Sequence, residues 1–130
     1  MDANILFTPA HNHTGKAAFL IGISTKDLWD LVTCSLAVEA AKRNLERKFP
    51  AALPAFAPLI KKIEITATSL KSPCPIALPD KDIPIFMSAI ESNCTHLLTG
   101  DLKDFGRFMN QAKKTKGIII QTMADFLLTV

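Results

Sequence analysis

The acids Asp2, Glu39, Asp82, Asp101 and Asp104 stand at places where chemistry could be assembled. Asp2 lies at or within a first apolar run, and Glu39 in the first full turn of a helix-like segment after a second. Asp82 opens a helical segment after a third run, and Asp101 follows a fourth directly, with Asp104 one helical turn further on. Carboxylates brought within a few ångströms of one another repel, which raises their pKa values unless a cation neutralises them. Hard divalent ions with oxygen ligands answer that need. Mg²⁺ or Mn²⁺ held by a few carboxylates polarises phosphoryl oxygens and generates hydroxide from bound water, so phosphodiester hydrolysis is the expected reaction.

The elements that must position these acids follow from hydrophobic periodicity. Ile5-Leu6-Phe7, closed by Thr8-Pro9, predicts the end of a very short first strand, and Lys16 to Ile23 a helix capped by Thr14. Leu28 to Cys34 predicts strand two. Ser35 would cap a helix running to about Lys48, with Leu36, Val38, Ala41 and Leu45 near helical spacing. From Ala51 a further helix is expected, with Pro54 in its first turn and a kink or break at Pro58. Ile63 to Thr68 alternates as strand three, and the prolines between Leu70 and Pro79 mark an irregular loop. Ile83 to Glu91 is helical, His96 to Thr99 is strand four, and Asp101 to about Lys113 is a helix or a loop running into one. Ile118 to Ile120 is strand five, and Thr122 caps a last helix.

Strands alternating with helices imply right-handed βαβ units. The expected architecture is a single domain over residues 1–130, a three-layer α/β/α sandwich around a mainly parallel sheet of about five strands. In open parallel sheets ligands bind beyond the carboxyl ends of the strands, where loops and helix N-termini converge. The acids fall there.

Several of these segments resemble PIN domains. The stretch Leu78-Pro79-Asp80-Lys81-Asp82-Ile83-Pro84-Ile85, followed by Thr95-His96-Leu97-Leu98-Thr99-Gly100-Asp101 with Asp104-Phe105, is similar to the third and fourth acidic motifs of that family. Asp2-Ala3-Asn4-Ile5-Leu6-Phe7 resembles the first motif, and Ser35 to Leu45, with Glu39, the second. The resemblance covers nearly the whole chain in the family's order. It implies a metal-dependent ribonuclease in which Asp2, Glu39, Asp82 and Asp101 are the catalytic acids. Asp2, Asp82, Asp101 and Asp104 would hold Mg²⁺ or Mn²⁺, with Asn4 and Thr99 as polar supports. It further implies an RNA substrate and, for the toxin members, a small antitoxin partner and a homodimer. The alternative is a weak or inactive PIN-like module that binds RNA or a protein partner.

Each residue also has a plainer use. Asp80, Asp82 and Asp101 are good helix caps, and Glu39 is an ordinary solvated helix carboxylate. His11-Asn12-His13 lies in a polar turn without the hairpin and helix that a nuclease site of that kind requires. Trp29 and the Phe residues read as packing. A receiver-like signalling domain would need a phospho-acceptor Asp after strand three, where Thr66-Ala67-Thr68 stands.

Composition narrows the classes. The chain has 130 residues, 48% of them hydrophobic and 21% charged, which fits one folded domain and excludes a disordered or fibrous chain. A net charge of +3 proves no nucleic-acid binding by itself, but basic residues cluster at Lys42-Arg43, Arg47-Lys48, Lys61-Lys62 and Lys113-Lys114. Cys34, Cys74 and Cys94, odd in number and without a C-x-x-C pair, are expected to be reduced thiols rather than disulfides or a zinc site. No apolar run approaches the ~20 residues of a membrane span and the start lacks a signal pattern, so the expected location is the cytoplasm, with no membrane partner.

Overall fold

The computed structural model describes residues 1–2, 30–68 and 74–129. The first expected strand at Ile5–Phe7, the helix at Lys16–Ile23, the His11–His13 turn, Trp29 and Asn4 lie outside the described residues.

The chain is mixed α/β, with short parallel strands and helices between them. Strand β1, Val32–Cys34, leads directly into helix α1, Ser35–Lys48. Ala37, Ala41 and Leu45, four residues apart, form the buried stripe of α1, while Lys42, Arg43 and Glu46 are exposed. Arg47 and Lys48 in the last turn suit the negative end of the helix dipole. The expected Ser35 cap is replaced by one from a distant residue. Thr68 Oγ1 accepts the Leu36 amide at 2.9 Å and shares a 2.9 Å hydrogen bond with the Ser35 hydroxyl.

A 3₁₀ turn at Pro50–Ala52 precedes helix α2, Leu53–Ile60. Pro54 occupies its first turn, and the helix runs through Pro58 without a break. Pro58 has no amide to give the Pro54 carbonyl, so this eight-residue helix forgoes one of its few internal bonds. Strand β2, Glu64–Thr66, then pairs parallel with β1, Val32 opposite Glu64 and Cys34 opposite Thr66.

Helix α3, Ile83–Glu91, buries Ile85, Phe86, Ser88 and Ala89. It closes where Asn93 takes φ 55° and the Cys94 amide turns back to the Ala89 carbonyl, an αL ending that Asn tolerates. Strand β3, His96–Leu98, pairs parallel with β4, Ile119–Gln121. The connection between them is shorter in helix than its sequence suggests. Helix α4 covers only Leu102–Phe105, and a 3₁₀ turn follows at Gly106–Phe108. The cause lies in β4: Met109 turns extended and bridges to Ile120, and the Asn110 amide donates to the Ile120 carbonyl. Gln121 Nε2 holds the Asn110 side chain at 2.8 Å. Helix α5, Met123–Thr129, is capped as expected, with Thr122 Oγ1 accepting the Asp125 amide at 3.1 Å.

The expected sheet of about five strands is not formed among the described residues, whose four strands make two parallel pairs, β1–β2 and β3–β4. Met1 and Asp2 run between the pairs. The Met1 nitrogen donates to Val32 O at 2.8 Å on one side, and the Asp2 amide donates to Leu98 O at 3.1 Å on the other. Thr33 Oγ1 adds a 2.8 Å bond to the Met1 carbonyl. One apolar cluster containing Cys34, Leu45, Phe56, Phe86, Leu97, Phe105 and Ile120 joins helices α1 to α4 to both pairs, so Asp2 is fixed relative to α3 and α4. Among the described residues, no helix is long and apolar enough to cross a membrane. Cys34 is buried, and no cysteine is in a disulfide.

Candidate metal centre

The acids that converge come from the N-termini of two helices. Asp82 precedes α3 and Asp101 precedes α4, at the carboxyl end of β3. Each sits at the N-cap position, yet the two use it differently. Asp101 caps in the ordinary way, its Oδ1 accepting the Asp104 amide at 3.0 Å. Asp82 makes no side-chain cap, so its carboxyl is turned to another use.

Asp82, Asp101 and Asp104 each offer one oxygen to a group whose atoms all lie within 4.8 Å of one another. Asp82 is 5% exposed, and its Oδ2 is buried with no hydrogen-bond partner. A buried carboxylate oxygen left unsatisfied is unfavourable unless a cation or a proton meets it. Burial is the main cause that pushes the Asp82 carboxyl up to about 7, aided by a hydrogen bond to Asp104 and by the nearby charges of Asp104 and Asp2. Asp104 moves the other way. The hydrogen bond from Asp82, with others from Lys81 and Asp101, holds its carboxyl below the usual range.

Asp2 joins this group through Thr99. The fully buried Thr99 hydroxyl donates to Asp2 Oδ2 at 2.8 Å and accepts the Asp101 amide at 3.1 Å. One side chain thus sets the distance between the acid of the N-terminal segment and the loop after β3. Thr99 thus ties Asp2 to the loop after β3, although Asp2 is outside the group of three close oxygens. Glu39 lies exposed on α1, and no described hydrogen bond or ion pair ties it to the cluster.

Lys81 is the group that sequence reasoning passed over. Its Nζ lies 3.3 Å from Asp104 Oδ2, although 72% of the side chain is exposed. Its place between Asp80 and Asp82 was the available signal, since a lysine within an acidic run answers the same repulsion as a metal ion. Away from the cluster, Arg43, Asn44 and Arg47 of α1 line a shallow groove with Ala40.

All donors of the cluster are carboxylate oxygens, a set that suits a hard cation such as Mg²⁺ or Mn²⁺ and not a thiophilic one. The orphaned Asp82 oxygen fits the same ion. No protein-family model, curated protein or solved structure matches the chain.

Proposed function

We propose that this chain is a divalent-metal-dependent endoribonuclease of the PIN type, hydrolysing RNA phosphodiester bonds at the cluster of Asp82, Asp101 and Asp104. One observation carries the reading: these carboxylates come within 4.8 Å beside a buried Asp82 oxygen that lacks a hydrogen-bond partner. Helix α3 brings Asp82, the turn after β3 brings Asp101, and α4 brings Asp104.

The cluster would hold Mg²⁺ or Mn²⁺, which when bound polarises a phosphoryl oxygen and lowers the pKa of a coordinated water. Asp82 must give up its proton to act as a ligand. Asp101, its Oδ1 fixed by the Asp104 amide, presents its other oxygen without rotamer search. Thr99 keeps Asp2 oriented beside them, adding negative charge that favours a cation. The exposed Arg43 and Arg47 offer RNA phosphates a sequence-independent foothold. The reading does not require Glu39 as a ligand. It carries with it a five-stranded sheet completed by the first strand, work in the cytoplasm, and the toxin role with a small antitoxin partner and a homodimer.

The test is cleavage of single-stranded RNA by the purified protein across a titration of Mn²⁺ and Mg²⁺, beside the Asp101→Asn variant. Metal-dependent cleavage by the parent protein alone supports the reading. RNA left equally intact by both at every metal concentration removes it.

A second reading, a PIN-like module that binds RNA or a protein partner without cutting, is favoured by Lys81. Its ammonium already neutralises Asp104. Calorimetry separates the two, because such a module takes up no Mn²⁺ at micromolar concentrations.

A further inference from the structure

The acid cluster draws on two segments that are distant in sequence. Asp82 stands at the end of the loop that leads into α3, while Asp101 and Asp104 belong to α4 and its N-terminus. A cation held by both segments binds best where the gap between them is set in advance, because a site that must first close loses affinity to the closing step.

The loop before α3 is stiff. Ile76 and Leu78 pack against the apolar core, and Pro79 has a locked φ and biases Leu78 toward extended backbone. The Pro79 carbonyl accepts the amides of Asp82 at 2.9 Å and Ile83 at 3.3 Å. A hold on Ala77 is therefore carried through to Asp82.

That hold comes from the other segment. Arg107 lies in the 3₁₀ turn Gly106–Phe108, which continues directly from α4, three residues after Asp104. Its Nη2 donates to the Ala77 carbonyl at 2.9 Å, across 30 residues of sequence. The guanidinium rests over the Phe108 ring, 4.8 Å from its centroid, and Gln111 Nε2 donates to the Arg107 carbonyl at 2.9 Å. The first contact restricts the side chain and the second the backbone that carries it.

The ion pair of Lys81 with Asp104 also ties these two segments, but the two ties respond differently to a cation. A metal ion taken up by Asp104 neutralises the charge that attracts Lys81. The Arg107 bond ends on an uncharged carbonyl outside the cluster, so it persists.

We propose that Arg107 is a positioning residue of the metal centre: through Ala77 it sets the spacing between Asp82 and the Asp101–Asp104 segment without being a ligand itself. The inference rests on the reading of Asp82, Asp101 and Asp104 as a metal centre. Charge gives it a sign of its own. If Arg107 acted only by its field, removing this cation would tighten Mn²⁺ binding, as expected for Lys81. Loss of the clasp weakens it instead.

The experiment measures Mn²⁺ affinity by calorimetry for the parent protein and for Arg107→Ala, Arg107→Met and Arg107→Lys, with thermal melting of each preparation. Methionine keeps an unbranched stem over Phe108 and loses the donor, so it decides the matter even where alanine disturbs folding. Lysine keeps a donor and the charge. The alanine and methionine variants are expected to bind Mn²⁺ about three- to tenfold more weakly, less than the roughly 10- to 100-fold lost with a partner bonded to a ligand directly. The lysine variant should stay within about twofold of the parent. RNA cleavage by Arg107→Ala is expected to recover the parent's rate at saturating Mn²⁺, since the ligands are intact. Unchanged or tighter binding by Arg107→Met, or by a folded Arg107→Ala, overturns the proposal, as does weakening that lysine does not restore. A parent protein that takes up no Mn²⁺ overturns the metal reading itself, and this inference with it.

Discussion

Carboxylate oxygens of Asp82 and Asp104 lie within 4.8 Å of each other, and burial favours the proton on Asp82. The pair is thus a neutral acid facing a carboxylate that Lys81 also holds. A cation entering the cluster has to displace the Asp82 proton, which links metal affinity to pH.

With Asp82 pushed up to about 7, apparent Mn²⁺ affinity is expected to rise roughly tenfold per pH unit below that value and to level off above it. Calorimetry in buffers of different ionisation enthalpy at pH 6 should also register close to one proton released per ion. Affinity independent of pH between 5 and 8 would contradict the assignment.

The same shift has a sign for stability. The folded pKa of Asp82 lies above the ordinary carboxylate value of 3.8, so between that value and about 7 the native state binds the extra proton. Stability of the metal-free protein from this group therefore falls as pH rises across the window. Asp82→Asn removes the titration and is expected to raise metal-free stability at pH 8 by on the order of 1–3 kcal/mol, with the gain shrinking toward pH 5. Urea denaturation of both proteins at the two pH values measures it.

Asp101→Asn keeps a good cap for α4 while removing a charge from the cluster. Its stability cost is expected to stay below about 1 kcal/mol, and metal-dependent RNA cleavage to drop by about 100-fold or more. Thermal melting and RNA cleavage on one preparation separate the two effects.

Thr99→Val deletes a hydroxyl that serves Asp2 and the Asp101 amide together. It is expected to cost roughly 1–3 kcal/mol and to weaken Mn²⁺ binding by about 10- to 100-fold. Thr99→Ser should restore most of both. A valine variant with unchanged metal affinity would show that Asp2 contributes nothing to the centre.

Lys81→Ala frees Asp104 of its ammonium partner. Because the Lys81 side chain is largely exposed, stability should change little, while Mn²⁺ binding tightens by up to about fivefold at low salt. The gain should fade as ionic strength rises.

What the sequence made legible was local. Ala41 and Leu45 of the α1 stripe, the prolines near helix starts, and the strands around Val32, Leu97 and Ile120 follow from periodicity and turn chemistry, whereas Ala37 takes the buried place that the pattern assigns to Leu36 and Val38. The acids after β3 and before α3 were legible too, because a carboxylate at a strand end stands out. Thr68 capping α1 was not, since the bond spans 32 residues and no local pattern reports it. Nor was the shortened helix after Asp101, whose end is set by Met109 and Asn110 bonding to β4. Asp82 looked equally good as a cap and as a ligand, and only the orientation of its carboxyl distinguishes the two.

Thr99 and Asp2 are 97 residues apart in sequence, and their bond closes the acidic corner. Such a contact cannot exist while a polypeptide is still emerging from the ribosome, for Asp82, Asp101 and Asp104 arrive late and the Ile119–Gln121 strand that steadies β3 arrives later still. Asp2 must therefore wait until Thr99, the acids beside it and the Ile119–Gln121 strand have all left the ribosome before the corner can close.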